Sequence, residues 1–322
     1  MTEPLPYGEA EIITYIEGFA GRSVSPMVRI GIGDDTAVLA AETSDFETLI
    51  TTDQIIENTH FIRELHPPDL LGAKTLVRGL SDIAAMGGLP RWFTLSLGLP
   101  RDLDFRWIQQ FIGGMFSETP TNAVPAFPLV GGDVARAPFI AAHVTVAGAV
   151  EKGRAMLRSA AKPGDGVYVS GRLGGSALGL ERLLAGAGLD DAAVQRHLRP
   201  QARIALGRRL LTLGVAACMD VSDGLSTDAG RMARASGVAL VIETERLPLF
   251  PEAGLERALH GGEEYELLFA APSKLAIPES FEELPITRIG RVEPGAGLWR
   301  ESARGERLPL EPEGFEHFAP NS

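Results

Sequence analysis

The sequence predicts an α+β protein in two halves. Strand-like and helix-like apolar periodicities are mixed along the chain without strict alternation. The 322 residues suffice for two domains and a sizeable core. One stretch, Glu151 to Gly166, is rich in Gly, Lys and Arg and divides the chain into residues 1–150 and 151–322. With 45% hydrophobic and 22% charged residues the composition is that of an ordinary soluble globular protein, so the two-domain reading needs no special class.

In chain order, Ile12, Ile13, Ile16 and Phe19 recur at helical spacing and predict an amphipathic packing helix over Tyr7 to Phe19. Strands at Thr36 to Ala41 and Thr48 to Thr52 follow a glycine turn, and Glu57 to Phe61 is a polar connection whose His60 reads either as a surface histidine or as a ligand. From Asp69, a candidate N-cap after Pro67-Pro68, a helix runs through Leu70, Lys74, Val77 and Leu80 towards Met86. On it Arg78 and Asp82 stand one turn apart and read as a surface ion pair. Pro90 to Leu99 is a strand, Phe105 to Ser117 an amphipathic helix, Phe127 to Val130 a short strand delivering Gly131-Gly132-Asp133, and Phe139 to Val150 a longer strand.

In the dividing stretch, Arg158 and Lys162 read equally as a solvated linker and as phosphate contacts. Val167 to Val169 is a strand, and Gly171 to Ser176 opens a helix through Leu183; the glycine run lacks the Gly-Lys-Ser/Thr ending of a P-loop and is read as a turn. A helix over Gln201 to Leu213, a strand over Ala216 to Met219, a helix over Ser226 to Ala235 and a strand over Ala239 to Ile242 follow. Gly261 to Glu266 precedes the strand Leu267 to Phe269, and strands at Thr287 to Val292 and Gly297 to Arg300 lead to a tail, Gly314 to Phe318.

A formal charge of −12 argues against nucleic acid as the main partner, since phosphate backbones are bound through Lys and Arg patches. Cys218 is the only cysteine, so an intramolecular disulfide and cysteine-based metal sites are excluded and a reducing compartment fits. The N-terminus has neither a basic n-region nor an apolar h-region, and no apolar stretch approaches membrane-spanning length, so a cytoplasmic protein is expected.

Aspartates recur in one kind of setting: Gly31-Ile32-Gly33-Asp34-Asp35, Thr51-Thr52-Asp53, Leu80-Ser81-Asp82, Val130-Gly131-Gly132-Asp133 and Asp220-Val221-Ser222-Asp223-Gly224. Each ends or interrupts an apolar segment beside small residues, where a backbone can approach a ligand. Scattered loop aspartates are the competing reading. If they converge, they repel one another and any phosphate by about 4 kcal/mol per pair at 4 Å and an effective dielectric near 20, so such a site is useful only with divalent cations in it. Hard oxygen donors suit Mg²⁺ together with substrate phosphates, and with glycine turns and a few arginines they make up the parts of a phosphoryl-transfer site. The helix starting just after Asp220 to Asp223 adds an amide-rich terminus suited to phosphate.

These strings, together with Glu57-Asn-Thr-His-Phe61, Ala161-Lys-Pro-Gly-Asp165 and Gly261-Gly-Glu-Glu-Tyr-Glu-Leu267, come in the order of the thiamine-monophosphate kinases and cover nearly the whole chain, which therefore resembles that family. The resemblance implies a two-domain aminoimidazole-ribonucleotide synthetase-like fold. In it the N-terminal half forms a β-barrel across a homodimer and the C-terminal half is α/β. It implies ATP-dependent, Mg²⁺-assisted conversion of thiamine monophosphate to thiamine diphosphate by direct transfer, with no dedicated catalytic base. It places metal at Asp35, Thr51, Thr52, Asp53, Asp82, Asp133, Asp220 and Asp223, ATP at Gly132, Asp133, Arg158 and Ser222, and thiamine monophosphate at His60, Glu263 and Phe315.

The chain departs from the family pattern at Asn58-Thr59, Val134, Gly175 and Glu264, which touches the details of substrate and metal contacts. Two other readings stand beside this one. Another ATP-dependent enzyme of the superfamily is the first, although a selenophosphate synthetase would want a reactive cysteine near the N-terminus. A non-catalytic thiamine-phosphate or nucleotide sensor is the second.

Overall fold

The computed structural model describes residues 28–30, 34–40, 45–117 and 127–315; the helix expected over Tyr7 to Phe19, the glycines of the Gly31 to Asp35 turn and the tail beyond Phe315 lie outside them.

The N-terminal sheet has six strands, β1 (Val28–Ile30), β2 (Ala37–Ala40), β3 (Phe46–Ile56), β4 (Leu89–Leu99), β5 (Leu129–Arg136) and β6 (Ala141–Glu151), in the order β1-β2-β3-β6-β4-β5. All pairings are antiparallel except β4 with β5. Strand β6 is an almost unbroken run of small and β-branched apolar residues, which suits its place at the centre between β3 and β4. Among the described residues the sheet is open, with β1 and β5 as its edges. Strand β5 runs on through Gly131-Gly132-Asp133, beyond Val130, where the sequence reading ended it. The reason is non-local: Gly132 lies so close to β4 that a Cβ there would meet the Leu95 carbonyl oxygen at 1.8 Å.

The second sheet contains β7 (Asp165–Ser170), β8 (Ala217–Val221), β9 (Ala239–Glu243), β10 (Glu266–Pro272), β12 (Leu284–Glu293), β13 (Gly297–Glu301) and β14 (Arg307–Pro309), in the order β14-β13-β9-β12-β7-β10-β8, with β11 (Ser280–Phe281) attached to β12. Its only parallel pairing among the described residues is β9 with β13. Helices α3 (Gly175–Leu184), α4 (Ala192–Leu198), α5 (Ile204–Leu213), α6 (Leu225–Ser236) and α7 (Gly254–His260) accompany it. The seven-residue helices α4 and α7 had no counterpart in the sequence reading, although Asp191 caps α4 by accepting hydrogen bonds from the Ala193 and Val194 N–H groups.

Two helices precede these, α1 (Pro68–Ala85) and α2 (Phe105–Ser117). Pro67, not Asp69, is the N-cap of α1, and Asp69 falls in its first turn, where a carboxylate faces the unpaired N–H groups. Helix α1 packs against β3, β6, α2 and α5 and also reaches β8 and β10, so it touches both sheets. Every residue from Leu70 to Ala85 is buried except Arg78 and Asp82. A helix apolar nearly all round is an interior helix. On the α5 side the approach is so close that a Cβ at Gly207 would meet the Ala84 carbonyl oxygen at 2.1 Å. One hydrophobic cluster accordingly joins Leu76, Leu80 and Val144 of the first half to Leu206, Leu210 and Phe269 of the second. The one face of α1 that is not sealed carries Arg78 and Asp82, one turn apart, and it opens on the cavity described next.

Candidate functional site

Asp35 follows β1 in the turn before β2, Asp82 projects from α1, and Asp220 sits within β8. The three offer carboxylate oxygens that all lie within 4.8 Å of one another. Burial, then the nearby Asp220 and Asp35 carboxylates, raise the pKa of Asp82 well above the carboxylate range; burial, then Asp35, do the same to Asp220. Behind them burial and Asp35 push Asp34 up to about 7.

Few groups answer this negative charge. Arg158 forks onto Asp35, donating from Nε at 3.0 Å and Nη2 at 2.7 Å, and its backbone N–H donates to Asp34 at 3.2 Å. The Thr51 hydroxyl donates to Asp82 at 2.5 Å, and the Ser81 hydroxyl donates to Asp220 at 2.6 Å. Buried carboxylates that repel, with hydroxyls beside them, form a hard oxygen-donor set that fits Mg²⁺.

Asp82 and Asp220 border a cavity of about 680 Å³, lined among others by Thr52, Asp53, Ser222, Asp223, His60, Glu263 and Phe315. Thr52 donates its hydroxyl to the Val144 carbonyl oxygen at 3.1 Å. Asp53 lies within β3, not at its end, and takes Arg78 Nε at 3.0 Å and Nη2 at 2.9 Å. The ion pair expected between Arg78 and Asp82 is thus replaced by one between Arg78 and Asp53, with Glu263 as a second partner at 3.3 Å. Helical spacing placed the wrong carboxylate beside Arg78, because β3 and the Glu263 turn reach it from other parts of the fold. Asp223 pairs with Arg231, and its carbonyl oxygen accepts the Phe315 N–H at 3.1 Å. His60 accepts the Ile56 N–H on Nδ1 at 3.0 Å and faces the Phe315 ring, with centroids 6.5 Å apart.

Glu263 is held by the backbone as well as by charge. Both it and Tyr265 adopt left-handed conformations, φ 60° and 51°, that non-glycine residues rarely take, and the Glu263 N–H donates to the Ser222 carbonyl at 2.6 Å. Burial opposes its ionisation, yet Lys74, donating at 2.8 Å, and Arg78 hold its pKa down to about 2. Lys74 itself is 3% exposed.

Gly132 and Asp133 are elsewhere. Asp133 pairs in register with Ser96, Ser96 with His143, and His143 with Gln54, the neighbour of Asp53. Three strand spacings separate them, about 14 Å. All of β5 is exposed, and neither residue lines the cavity. Of the positions departing from the family pattern, Val134 is exposed on that edge, Asn58 takes a positive φ that asparagine tolerates, Gly175 begins α3, and Glu264 accepts the Ser176 N–H at 3.0 Å and pairs with Arg196.

Sequence reasoning missed Lys74, the partners of Arg78, and Asp228. The Asp228 carboxylate accepts the N–H groups of both Ser222 and Asp223 at 3.0 Å and so shapes their loop. Its signal was available, an acidic residue in the first turn of α6 just after Ser222-Asp223-Gly224.

The chain matches the family model "AIR synthase related protein, N-terminal domain" over residues 33–150 and "AIR synthase related protein, C-terminal domain" over residues 162–299. It is 38% identical to the thiamine-monophosphate kinase of Aquifex aeolicus over 301 residues, covering 89% of this chain and 92% of that protein. It is also 38% identical to that of Escherichia coli K12 over 310 residues, 91% and 93% of the two chains. Among solved structures, AaThiL complexed with AMPPCP and TMP superposes with a TM-score of 0.85 at 36% identity, over 98% of this chain and 99% of that one. The hydrogenase maturation protein HypE in complex with ATP shares the fold, with a TM-score of 0.68 at 20% identity over 99% of each chain.

The raised pKa of Asp82 makes a signed prediction. A carboxylate whose folded pKa lies above its unfolded value near 3.8 supports the fold fully below that value, and the support is lost as pH rises through the folded pKa. Asp82→Asn lacks this loss. In chelator, the variant is expected to melt higher than the unaltered chain at pH 8 and to gain less at pH 5. Calorimetric scans in which the gain is larger at pH 5 contradict the assignment.

Proposed function

The chain belongs to the thiamine-monophosphate kinases of the AIR synthase related family, and from that premise we propose that it moves the γ-phosphoryl group of ATP directly onto the phosphate of thiamine monophosphate, giving thiamine diphosphate. The observation that carries this reading is the juxtaposition of the Asp35, Asp82 and Asp220 oxygens with a cavity that His60, Glu263 and Phe315 also line.

Mg²⁺ held by Asp35, Asp82 and Asp220, with Thr51, Thr52, Asp53, Asp133 and Asp223 as further contacts, would neutralise the phosphates and align the reacting oxygens. The chain's own residues bind and orient. Arg158, forked on Asp35, stands where it meets ATP phosphate, and the Ser222 loop, braced by Asp228 beside the start of α6, supplies polar contacts to the nucleotide. His60 and Phe315 offer ring faces to the thiamine heterocycles, and Glu263 offers them a fixed negative charge. No general base is assigned. The acceptor is a phosphate monoester with a second pKa of about 6, already mostly dianionic at pH 7, so no proton has to be removed.

The reading includes a homodimer. β5 is an exposed edge with Val130 and Val134 at 57% and 69% exposure, the kind of edge that a second copy covers. In one chain Gly132 and Asp133 stand about 14 Å from Asp53, so their contacts with ATP and metal are placed across the subunit interface. We also place the reaction in the cytoplasm. Cys218 is a free, buried thiol, and among the described residues no helix is long and apolar enough to cross a membrane.

Incubation with γ-labelled ATP, Mg²⁺ and thiamine monophosphate is expected to yield labelled thiamine diphosphate on chromatography, with no label on protein quenched before acceptor is added. Label that remains on the protein and chases into product overturns direct transfer, and absence of product overturns the kinase reading.

The interface assignment predicts complementation. Asp133→Asn and Asp220→Asn chains are each expected to lose turnover on the order of 10²–10³-fold. Co-expressed in equal amounts, they assemble dimers of which half are mixed, each with one intact site, so about a quarter of the unaltered activity returns. Light scattering that gives a monomer, or co-expressed chains as inactive as each alone, refutes the shared site.

A further inference from the structure

The cavity is lined by five carboxylates, those of Asp53, Asp82, Asp220, Asp223 and Glu263, and among its described lining residues by a single Arg or Lys side chain, Arg78. Neighbouring cations lie outside the lining: Arg158, assigned above to ATP, is forked on Asp35, Arg231 pairs with Asp223 and Asp228, and Lys74 pairs with Glu263 from behind the wall. His197 also lines the cavity, but burial and the charge of Lys74 push its pKa down to about 3, so it is neutral at pH 7. A phosphate dianion entering this space meets one permanent positive charge.

Arg78 is built to be met. It shares the one unsealed face of α1 with Asp82. Its Nε and Nη2 face Asp53 on β3 and its Nη1 faces Glu263, which uses part of its five N–H groups. Where Arg196 and Arg203 meet Glu266 within the C-terminal half, the arginines are 14% exposed but the carboxylate is only 1% exposed. Asp53 and Glu263 are each 24% exposed, and the Arg78 side chain is 15% exposed.

We propose that Arg78 is a substrate-contacting residue whose guanidinium receives the phosphate of thiamine monophosphate and thereby selects phosphorylated over unphosphorylated thiamine. The inference rests on the kinase reading above. It names a residue that neither the sequence motifs nor the family pattern had put in the site. A planar fork suits the paired oxygens of a phosphate, and Arg78 is the one Arg or Lys side chain that the described lining itself offers the acceptor phosphate.

The test compares the unaltered chain with Arg78→Ala and Arg78→Lys. It uses steady-state kinetics in both substrates and calorimetric titration of thiamine monophosphate and of thiamine, each without ATP. For Arg78→Ala the expected result is a rise of about tenfold to a hundredfold in the KM and Kd for thiamine monophosphate, with the KM for ATP and the Kd for thiamine changed by less than about twofold. Arg78→Lys keeps the charge without the fork and is expected to lose only part of that preference. Equal weakening of thiamine and its monophosphate, or unchanged binding of the monophosphate by a variant with a normal melting transition, overturns the proposal. If Arg78→Ala does not fold, Arg78→Lys decides by the same comparison. An unaltered chain that does not turn over thiamine monophosphate removes the kinase reading and the proposal together, whereas a turning-over chain with an indifferent Arg78 removes the proposal alone.

Discussion

Asp35, Asp82 and Asp220 come from a turn, a helix and a strand separated by most of the chain, and the fold brings their oxygens within 4.8 Å of one another. Each ionised pair at about 4 Å repels by about 4 kcal/mol at an effective dielectric near 20, comparable to a sizeable part of the net stability of an ordinary domain. The fold tolerates this by surrounding the trio with short-range relief. Arg158 forks onto Asp35, hydroxyls of Thr51 and Ser81 donate to the other two, and raised pKa values let protons stand in for cations. The arrangement is most stable when something positive is added to it, and this is what makes it a site.

Holding repelling groups together demands a rigid frame, and α1 supplies it. A helix sealed on nearly every face between two sheets has one position available, and its partly open residues, Arg78 and Asp82, are pointed by that packing. Elsewhere in the cavity wall, left-handed backbone at Glu263 and Tyr265 stores strain that the buried pairs of Glu264 and Glu266 with Arg196 and Arg203 hold in place. The wall around Glu263 is thus set by ion pairs and that around Asp82 by packing. Arg78, between Asp53 and Glu263, touches both.

Much of this was legible in the sequence where the signal is local. The aspartate strings with their glycines and the long apolar periodicities of α1 and β6 are properties of neighbouring residues. They led to the α+β class and to Asp35, Asp82 and Asp220. What was misread depends on pairing between distant segments. Arg78 has a carboxylate one turn away, so helical spacing named Asp82, while the true partners arrive from β3 and from a turn 185 residues further on. Gly131 to Asp133 have the composition of a turn and became strand only because β4 offered a parallel edge. Lys74 was given no role beyond its place in the helix, because no local pattern reveals that α1 is covered on both sides and that Glu263 reaches it.

The central claim is that Asp82 and Asp220, beside Asp35, take up protons when no divalent cation is bound and exchange them for one. Titrating Mg²⁺ into chelator-treated protein at pH 6, in buffers of different ionisation enthalpy, reads that exchange as protons released per ion bound. The account predicts net release of about one proton or more, falling towards zero in Asp82→Asn. Mg²⁺ binding with no proton release, or release undiminished in the variant, would contradict it.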